Sequence, residues 1–426
     1  MSETSERLPR IPTGFGPIEH LLRQSLHSRL SAVRHGCLRV VDALGTIEFG
    51  GTGGGLPHVE IVVVDASFYR ALAASGSVGA AEAYSNGWWR CSDLVGLVRL
   101  LLRHRDLLDG MEQGPARISG WIMRALDLLR VNTRRGAHRN IAAHYDLGNE
   151  LFGLFLSPDL MYSCALFADP QESLESASMR KLERICEKLH LGPNDRVIEI
   201  GSGWGGFAVH AAARYGCHVT TTTISRAQYD LARERIAAAG LEDQITVLLD
   251  DYRDLRGCYD KLVSIEMVEA IGASQLDTYF GKIGSLLEAD GKAVIQAITI
   301  QDHRYVQALR SVDFIKRHIF PGSFIPSVAA LIAAKTRSTD LALTHLEDFG
   351  SSYALTLRIW RERFLASLAD VRALGYDERF IRLWEFYLAY CEGGFRERSI
   401  GVAQLLLTKP GCRDAEYLPA LKRFEA

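Results

Sequence analysis

The run Arg196 to Phe207, RVIEIGSGWGGF, joins an apolar strand to a glycine loop behind an acidic residue, a pattern that binds a nucleoside. Val197, Ile198 and Ile200 read as a buried parallel strand with Glu199 near its end. Gly201, Gly203 and Gly205, interleaved with Ser202 and Trp204, let a ligand approach the backbone closely. Dinucleotide, nucleotide and S-adenosylmethionine folds all use strand, glycine turn and helix, so the sequel decides between them. The spacing Glu199-x-Gly201-x-Gly203-x-Gly205 lacks the two-residue gap before the last glycine that pyrophosphate cradles prefer. The next strand, CHVTTTTI, ends in threonines and offers no carboxylate to a ribose. Both features argue against NAD and for S-adenosylmethionine.

The residues around this loop extend the pattern. AEAYSNGWW, HYDLGNELF, MYSCALF, ICEKL, IGSGWGGFA, TISRAQ, DDYRDL, HIFPGSFIPS, DFGSSYALTL and FYLAYCEGGFRER follow one another along the chain. Through these motifs the sequence resembles, over nearly its whole length, the cyclopropane fatty acid synthases. Those enzymes transfer a methylene from S-adenosylmethionine to a cis double bond in a phospholipid acyl chain. The resemblance implies that S-adenosylmethionine is held by Tyr162 and Ser163, by the loop Val197 to Gly205, by Thr223, Ile224, Ser225 and Gln228, and by Asp251 with Tyr252. Backbone amides at Gly201 and Gly203 suit the methionine portion, Thr223 and Gln228 the ribose, and Asp251 and Tyr252 the adenine.

Methylating an alkene leaves a carbocation, so the site must be dry and rich in π faces, and a base must remove a proton from the new methyl group. The resemblance implies bicarbonate as that base, held by Cys164, Glu269, Gln296, the backbone of Ile298, and Tyr353. Glu269 would orient the anion or relay its proton, with a raised pKa. The sequence departs from the family pattern here: Gln296 and Ala270 stand where histidines are usual, and Glu266 where glycine is frequent. Glutamine donates a hydrogen bond but carries no proton. An altered base opens an alternative outcome, a methyl- or methylene-branched chain completed by a separate reductase. Ring closure is the preferred expectation. Cys391 matches a cysteine suspected of catalysis in the family, but its apolar helical setting with Tyr387 and Tyr390 favours a core role.

The elements that must position these residues form two domains, as 426 residues require. The expected divisions are a loose terminus over 1–15, a small mixed domain over 16–103 that docks on lipid or a second subunit, a connector over 104–138, and a catalytic domain over 139–426. In the small domain, helices are predicted over Ile18 to Val33, Ala66 to Ser75 and Ser92 to Arg103, with strands near Cys37 to Gly45 and His58 to Val64. GTGGGLP, Gly51 to Pro57, is a turn, and Ile118 to Val131 a connector helix. From residue 139 strands RVIEI, HVTTTTI, ITVLLDD, KLVSIEM and KAVIQAITI alternate with helices such as Arg226 to Ala239 and Gln275 to Leu287. That rhythm predicts an α/β class I methyltransferase fold, a doubly wound, mostly parallel sheet.

The net charge of −2 hides basic clusters at Arg130 to Arg139 and at Arg304 to His318, where Arg310, Lys316 and Arg317 lie beside Tyr305, Phe314 and Ile315. Such clusters suit an anionic membrane surface, which attracts each cation by about 1 kcal/mol. Eight irregularly spaced cysteines, no signal segment and no long apolar run point to a reduced, cytoplasmic protein peripheral to the inner face of the membrane. A homodimer is implied by the resemblance, and no nucleic acid partner is expected. Aromatics after residue 350, including Tyr353, Trp360, Phe364, Phe380, Trp384, Phe386 and Tyr387, line either an acyl tunnel or plain core, and core is favoured for all but Tyr353. His144 and Asp146 lack further ligands at coordinating spacing, so no metal is assigned. The rivals to this reading are a non-catalytic lipid-binding relative and a methyltransferase of soluble small molecules.

Overall fold

The chain alternates helices and strands along most of its length, and the computed structural model describes residues 15–51, 57–106 and 147–413. The loose terminus, the tip of the Gly51 to Pro57 turn, the connector helix, the Arg130 to Arg139 cluster, His144 and Asp146 lie outside the described residues. Two units divide the chain, one of residues 1–123 and 375–397, the other of residues 124–374 and 398–426.

In the first unit, strands β1 (Cys37–Asp42), β2 (Gly45–Gly50), β3 (His58–Val63) and β4 (Trp89–Cys91) form a sheet in the order β2-β1-β3-β4. Helices Pro17–Leu30, Ser67–Ser85 and Leu94–Arg103 accompany it. Strand β2 was not expected: Ile47 and Phe49 do alternate with the exposed Thr46 and Glu48, but the run is short and bounded by glycines. The helix expected to stop at Ser75 does break there, since Gly76 takes a non-helical φ of 54°, and a second helical segment that was not expected continues to Ser85.

Helix Glu378–Arg396 belongs to this unit, although it lies far along the stretch read as catalytic domain. Phe386 packs its ring 5.6 Å from Tyr84 and 6.4 Å from Trp89. Tyr84 donates to Glu385 at 2.9 Å, and Arg99 and Arg103 bracket Glu397 at 2.8 and 2.9 Å. The helix is therefore bound by the aromatic and ionic partners that the small sheet and its helices supply.

The second unit is built on seven strands in the order β10-β11-β9-β8-β5-β6-β7. They are β5 (Arg196–Ile200), β6 (His218–Thr222), β7 (Ile245–Leu248), β8 (Tyr259–Ile265), β9 (Leu287–Ile300), β10 (Ala342–Asp348) and β11 (Ile400–Thr408). The first five pair in parallel, and β11 runs antiparallel between β9 and β10. This is the α/β class I methyltransferase fold expected of the alternation, with β10 and β11 added at one edge. Apolar clusters occupy both faces of the sheet. Ile198, Leu262 and Ile295 pack beneath helices Leu276–Leu286 and Val328–Ser338, while Val197, Val263 and Val294 pack beneath helices Leu174–Leu189 and Gly206–Tyr215. Strand order reverses at β5, which has β6 on one side and β8 on the other, and a crevice opens at such a point beyond the carboxyl ends of the strands.

Candidate active site

The glycine loop sits in that crevice, between β5 and helix Gly206–Tyr215. Gly201, Gly203 and Gly205 take φ of 96°, 49° and 84°, a turn that side-chain-bearing residues resist. The Gly201 amide donates to Thr222 O at 3.1 Å and Ser202 to the same oxygen at 2.8 Å. Gly201 therefore braces the loop against β6, and the amide expected to meet the ligand there is already engaged. Gly203 faces open space, with no atom within 4 Å of where a Cβ would stand, and is the point at which a ligand approaches the backbone. Trp204 lies buried beneath, its indole N–H donating to Asn149 at 2.7 Å. Beside the loop, Glu199 accepts from Thr221 at 2.6 Å, and burial pushes its carboxyl up to about 8.

The further positions expected to hold S-adenosylmethionine lie on neighbouring turns. Thr223 donates to Gln228 Oε1 at 2.8 Å, leaving the Gln228 amide nitrogen as the donor suited to a ribose hydroxyl. Ser225 caps helix Arg226–Ala238 by accepting from Gln228 N, and Ile224 stands between these residues. Asp251 is held by Arg253 at 2.6 Å and caps a short turn that presents the buried Tyr252 ring. Tyr252 Oη has no hydrogen-bond partner among the described residues. A bent glycine turn open at Gly203, a buried amide donor and an unpartnered phenol fit S-adenosylmethionine.

Tyr162 and Ser163 precede the sheet and face different partners. Ser163 accepts from the buried Lys181 ammonium at 2.9 Å. Tyr162 stacks on Trp360 at 5.3 Å and meets Phe152 edge-on at 5.2 Å. Phe152 lies 5.0 Å from Trp204, and Tyr353 stands edge-on to Trp360 at 6.1 Å. Trp360, weighed in the sequence as plain core, thus joins a set of π faces running from the glycine loop to Tyr353. Phe380, Trp384, Phe386 and Tyr387 belong to the first unit.

Beside those rings stand two carboxylates. Glu266 follows β8 at φ 49°, a left-handed conformation unusual for a non-glycine residue, with its amide held by Gln296 O at 2.8 Å. Its Oε1 accepts from Cys164 N at 2.9 Å and Gln296 Nε2 at 2.7 Å, and its Oε2 from Tyr353 Oη at 2.7 Å. Glu269, on the turn that follows, accepts from Ile298 N through Oε1 at 2.5 Å. Its buried Oε2 has no partner among the described residues. Burial first and the nearby Glu266 second push the Glu269 carboxyl up to about 8. Burial also raises Glu266, against the pull of its three donors.

The five positions expected to hold bicarbonate are thus brought together, and their hydrogen bonds already run to these two carboxylates. Cys164, Gln296 and Tyr353 serve Glu266, and Ile298 serves Glu269. A free bicarbonate does not fit donors so engaged. The Cys164 thiol points to Ala165 O at 3.1 Å, and burial holds it well above the usual thiol range, so the residue contributes its backbone N–H. Cys391 is half-buried on helix Glu378–Arg396 of the first unit.

Behind Gln296 lies a buried polar chain that sequence reasoning missed. Lys188 Nζ donates to Gln404 Oε1 at 2.7 Å, and Gln404 Nε2 donates to Gln296 Oε1 at 2.9 Å. Lys188 also pairs with Glu347 at 2.6 Å, and burial lowers its ammonium to about 8. A signal existed: Lys181 and Lys188 lie seven residues apart, on one helix face with the apolar Leu174, Ile185 and Leu189 buried around them. Among the described residues no cluster of His, Cys, Asp or Glu is arranged to hold a metal ion.

The family profile described as mycolic acid cyclopropane synthetase matches residues 132–405. Tuberculostearic acid methyltransferase UfaA1 of Mycobacterium tuberculosis (strain ATCC 25618 / H37Rv) is 37% identical over 353 residues, 80% of this chain and 81% of that one. Cyclopropane-fatty-acyl-phospholipid synthase of Escherichia coli (strain K12) is 36% identical over 357 residues, 83% of this chain and 89% of that one. The crystal structure of mycolic acid cyclopropane synthase CmaA1 complexed with SAH and CTAB superposes with a TM-score of 0.60 at 28% identity, covering 64% of this chain and 98% of that one. A nucleoside crevice, a set of buried rings and a carboxylate pair thus accompany similarity that spans most of the chain, which belongs to the mycolic acid cyclopropane synthetase family of S-adenosylmethionine-dependent methyltransferases.

Proposed function

We propose that this enzyme transfers one carbon from S-adenosylmethionine to the cis double bond of an unsaturated phospholipid acyl chain and closes a cyclopropane ring. The observation that carries this reading is the pairing of Glu266 and Glu269, two buried carboxylates, beside the Tyr162, Trp360 and Tyr353 rings. When bound, S-adenosylmethionine supplies an electrophilic methyl group. The rings offer π faces to a developing cation and exclude water that would quench it. The carboxylates take up the proton that ring closure releases.

Access for a lipid is supported by helix Asp302–Arg310, which rests on the core through the partly buried Tyr305 and has no fully buried residue. Val306 is 56% and Leu309 40% exposed, beside the exposed Arg310. Apolar side chains next to a cation suit the face of an anionic bilayer, from which the acyl chain must be drawn at about 0.8 kcal/mol per methylene exposed to water. Lys316 is not part of that surface, since its ammonium is buried on Ala308 O and Ser311 O at 2.6 and 2.9 Å.

A second reading, a methyl- or methylene-branched chain, is favoured by the 37% identity to a tuberculostearic acid methyltransferase and by the departures at Gln296 and Glu266. Incubation with unsaturated phospholipid and methyl-deuterated S-adenosylmethionine, followed by double-bond-sensitive mass spectrometry, separates the outcomes. The expected product is saturated at the former double bond and retains two deuterons. Three retained deuterons mark a methyl branch, and two with a surviving alkene mark a methylene branch. No incorporation into any lipid would refute both readings.

A further inference from the structure

We propose that the carboxylate of Glu266 is the resident anion of this site, standing in place of bicarbonate, and that it forms with Glu269 the pair that accepts the proton. The inference rests on the methyl-transfer reading above. Its geometry stands apart from that reading.

Three donors from separate elements converge on one side chain: Cys164 N, Gln296 Nε2 and Tyr353 Oη, at 2.9, 2.7 and 2.7 Å. Such convergence is the arrangement that holds an oxyanion. The direction of the Gln296 donor is fixed from behind. Lys188 carries only donors, so it must present N–H to Gln404 Oε1, and Gln404 must then present its amide N–H to Gln296 Oε1. Gln296 is left with its amide nitrogen aimed at Glu266. A donor-only group at one end of the chain therefore dictates an acceptor at the other.

Glu269 completes the pair. One of its oxygens accepts from Ile298 N, and the other is buried without a partner among the described residues. Burial and the charge of the nearby Glu266 both disfavour an ionised Glu269, so the pair carries a single negative charge. A free bicarbonate would have to displace Glu266 from all three donors and lie beside that charge. In the ring-closing step a C–H bond of the transferred methyl breaks. Its electron pair forms the second ring bond to the cationic carbon, and the proton passes to the singly charged pair, which becomes neutral. No other reactant is required.

Carbon-13 NMR of labelled bicarbonate titrated into the full chain tests the anion directly, with S-adenosylhomocysteine present. Wild type is expected to cause no saturable broadening, and Glu266→Gly to bind the ion saturably. Saturable binding by wild type, or none by a folded Glu266→Gly, would overturn the proposal. In assays freed of carbon dioxide, wild type should keep its turnover within twofold. Glu266→Gly should fall at least a hundredfold and regain at least tenfold on addition of bicarbonate. A wild type that stops without bicarbonate would equally overturn it. Should Glu266→Gly fail to fold, Glu266→Gln keeps the size of the side chain and should lose turnover with no rescue, whereas retained turnover refutes the assignment. If wild type methylates no lipid, the functional reading fails while the NMR titration still decides the identity of the anion.

Discussion

Glu269 carries much of its chemistry in its sequence setting. Its place after β8 and its need to share a proton are legible there, because a carboxylate in a methyl-transfer motif must meet the released proton. That Glu266 would engage the very donors expected to hold bicarbonate was not legible, since it depends on a left-handed φ that swings the side chain back across the strand ends. Lys188 and Gln404 were missed because charged and amide residues are ordinarily exposed, and only their mutual satisfaction allows burial. Glu269→Gln should abolish product while leaving S-adenosylhomocysteine binding within a few-fold, as calorimetry would show. The same change should alter stability with pH. The folded carboxyl titrates near 8 against 4.5 in an ordinary setting, so it holds its proton more tightly when folded. Its stabilisation is present below about 4.5 and is lost as pH rises toward about 8. The melting temperature of Glu269→Gln should therefore gain on that of wild type between pH 5 and 8. A constant difference would count against a raised Glu269.

At the scale of elements, the five parallel strands are located from sequence, β5 at both ends and the others to within about five residues, because each is a β-branched or aliphatic run between turn signals. Strands β10 and β11 were not singled out. The segment ALTHLED of β10 is only partly buried, and β11 follows a helix that belongs to the other unit. Helix Asp302–Arg310 was read for its charge, yet its exposed Val306 and Leu309 are the more telling feature. Changing both to aspartate should leave the fold and S-adenosylmethionine binding intact. Co-sedimentation with anionic phospholipid vesicles should then drop several-fold, steeply at low salt. Unchanged sedimentation would remove this helix from the lipid surface.

For the molecule as a whole, two domains were anticipated and two units are present, but residues 375–397 join the first. A linear reading cannot see this, since a helix rich in Trp, Phe and Tyr suits any core, and only its partners Tyr84 and Trp89 identify which. Phe386→Ala should cost about 3–5 kcal/mol in the first unit. In calorimetry that change should lower one transition and leave untouched the one that S-adenosylhomocysteine raises. A uniform shift of a single transition would mean that the units unfold as one. No helix among the described residues is long and apolar enough to cross a membrane.

The left-handed backbone at Glu266 has a consequence for how such an enzyme changes over generations. Glycine accepts φ 49° without strain, whereas a β-branched residue does not, so few replacements are open at this position. Glutamate and glycine codons differ by one base. A single point mutation can therefore exchange a tethered anion for one drawn from dissolved carbon dioxide, with relief rather than disruption of the chain. A lineage could pass between gas-dependent and gas-independent catalysis in one step, and the genotype at this codon would record which regime it lives in.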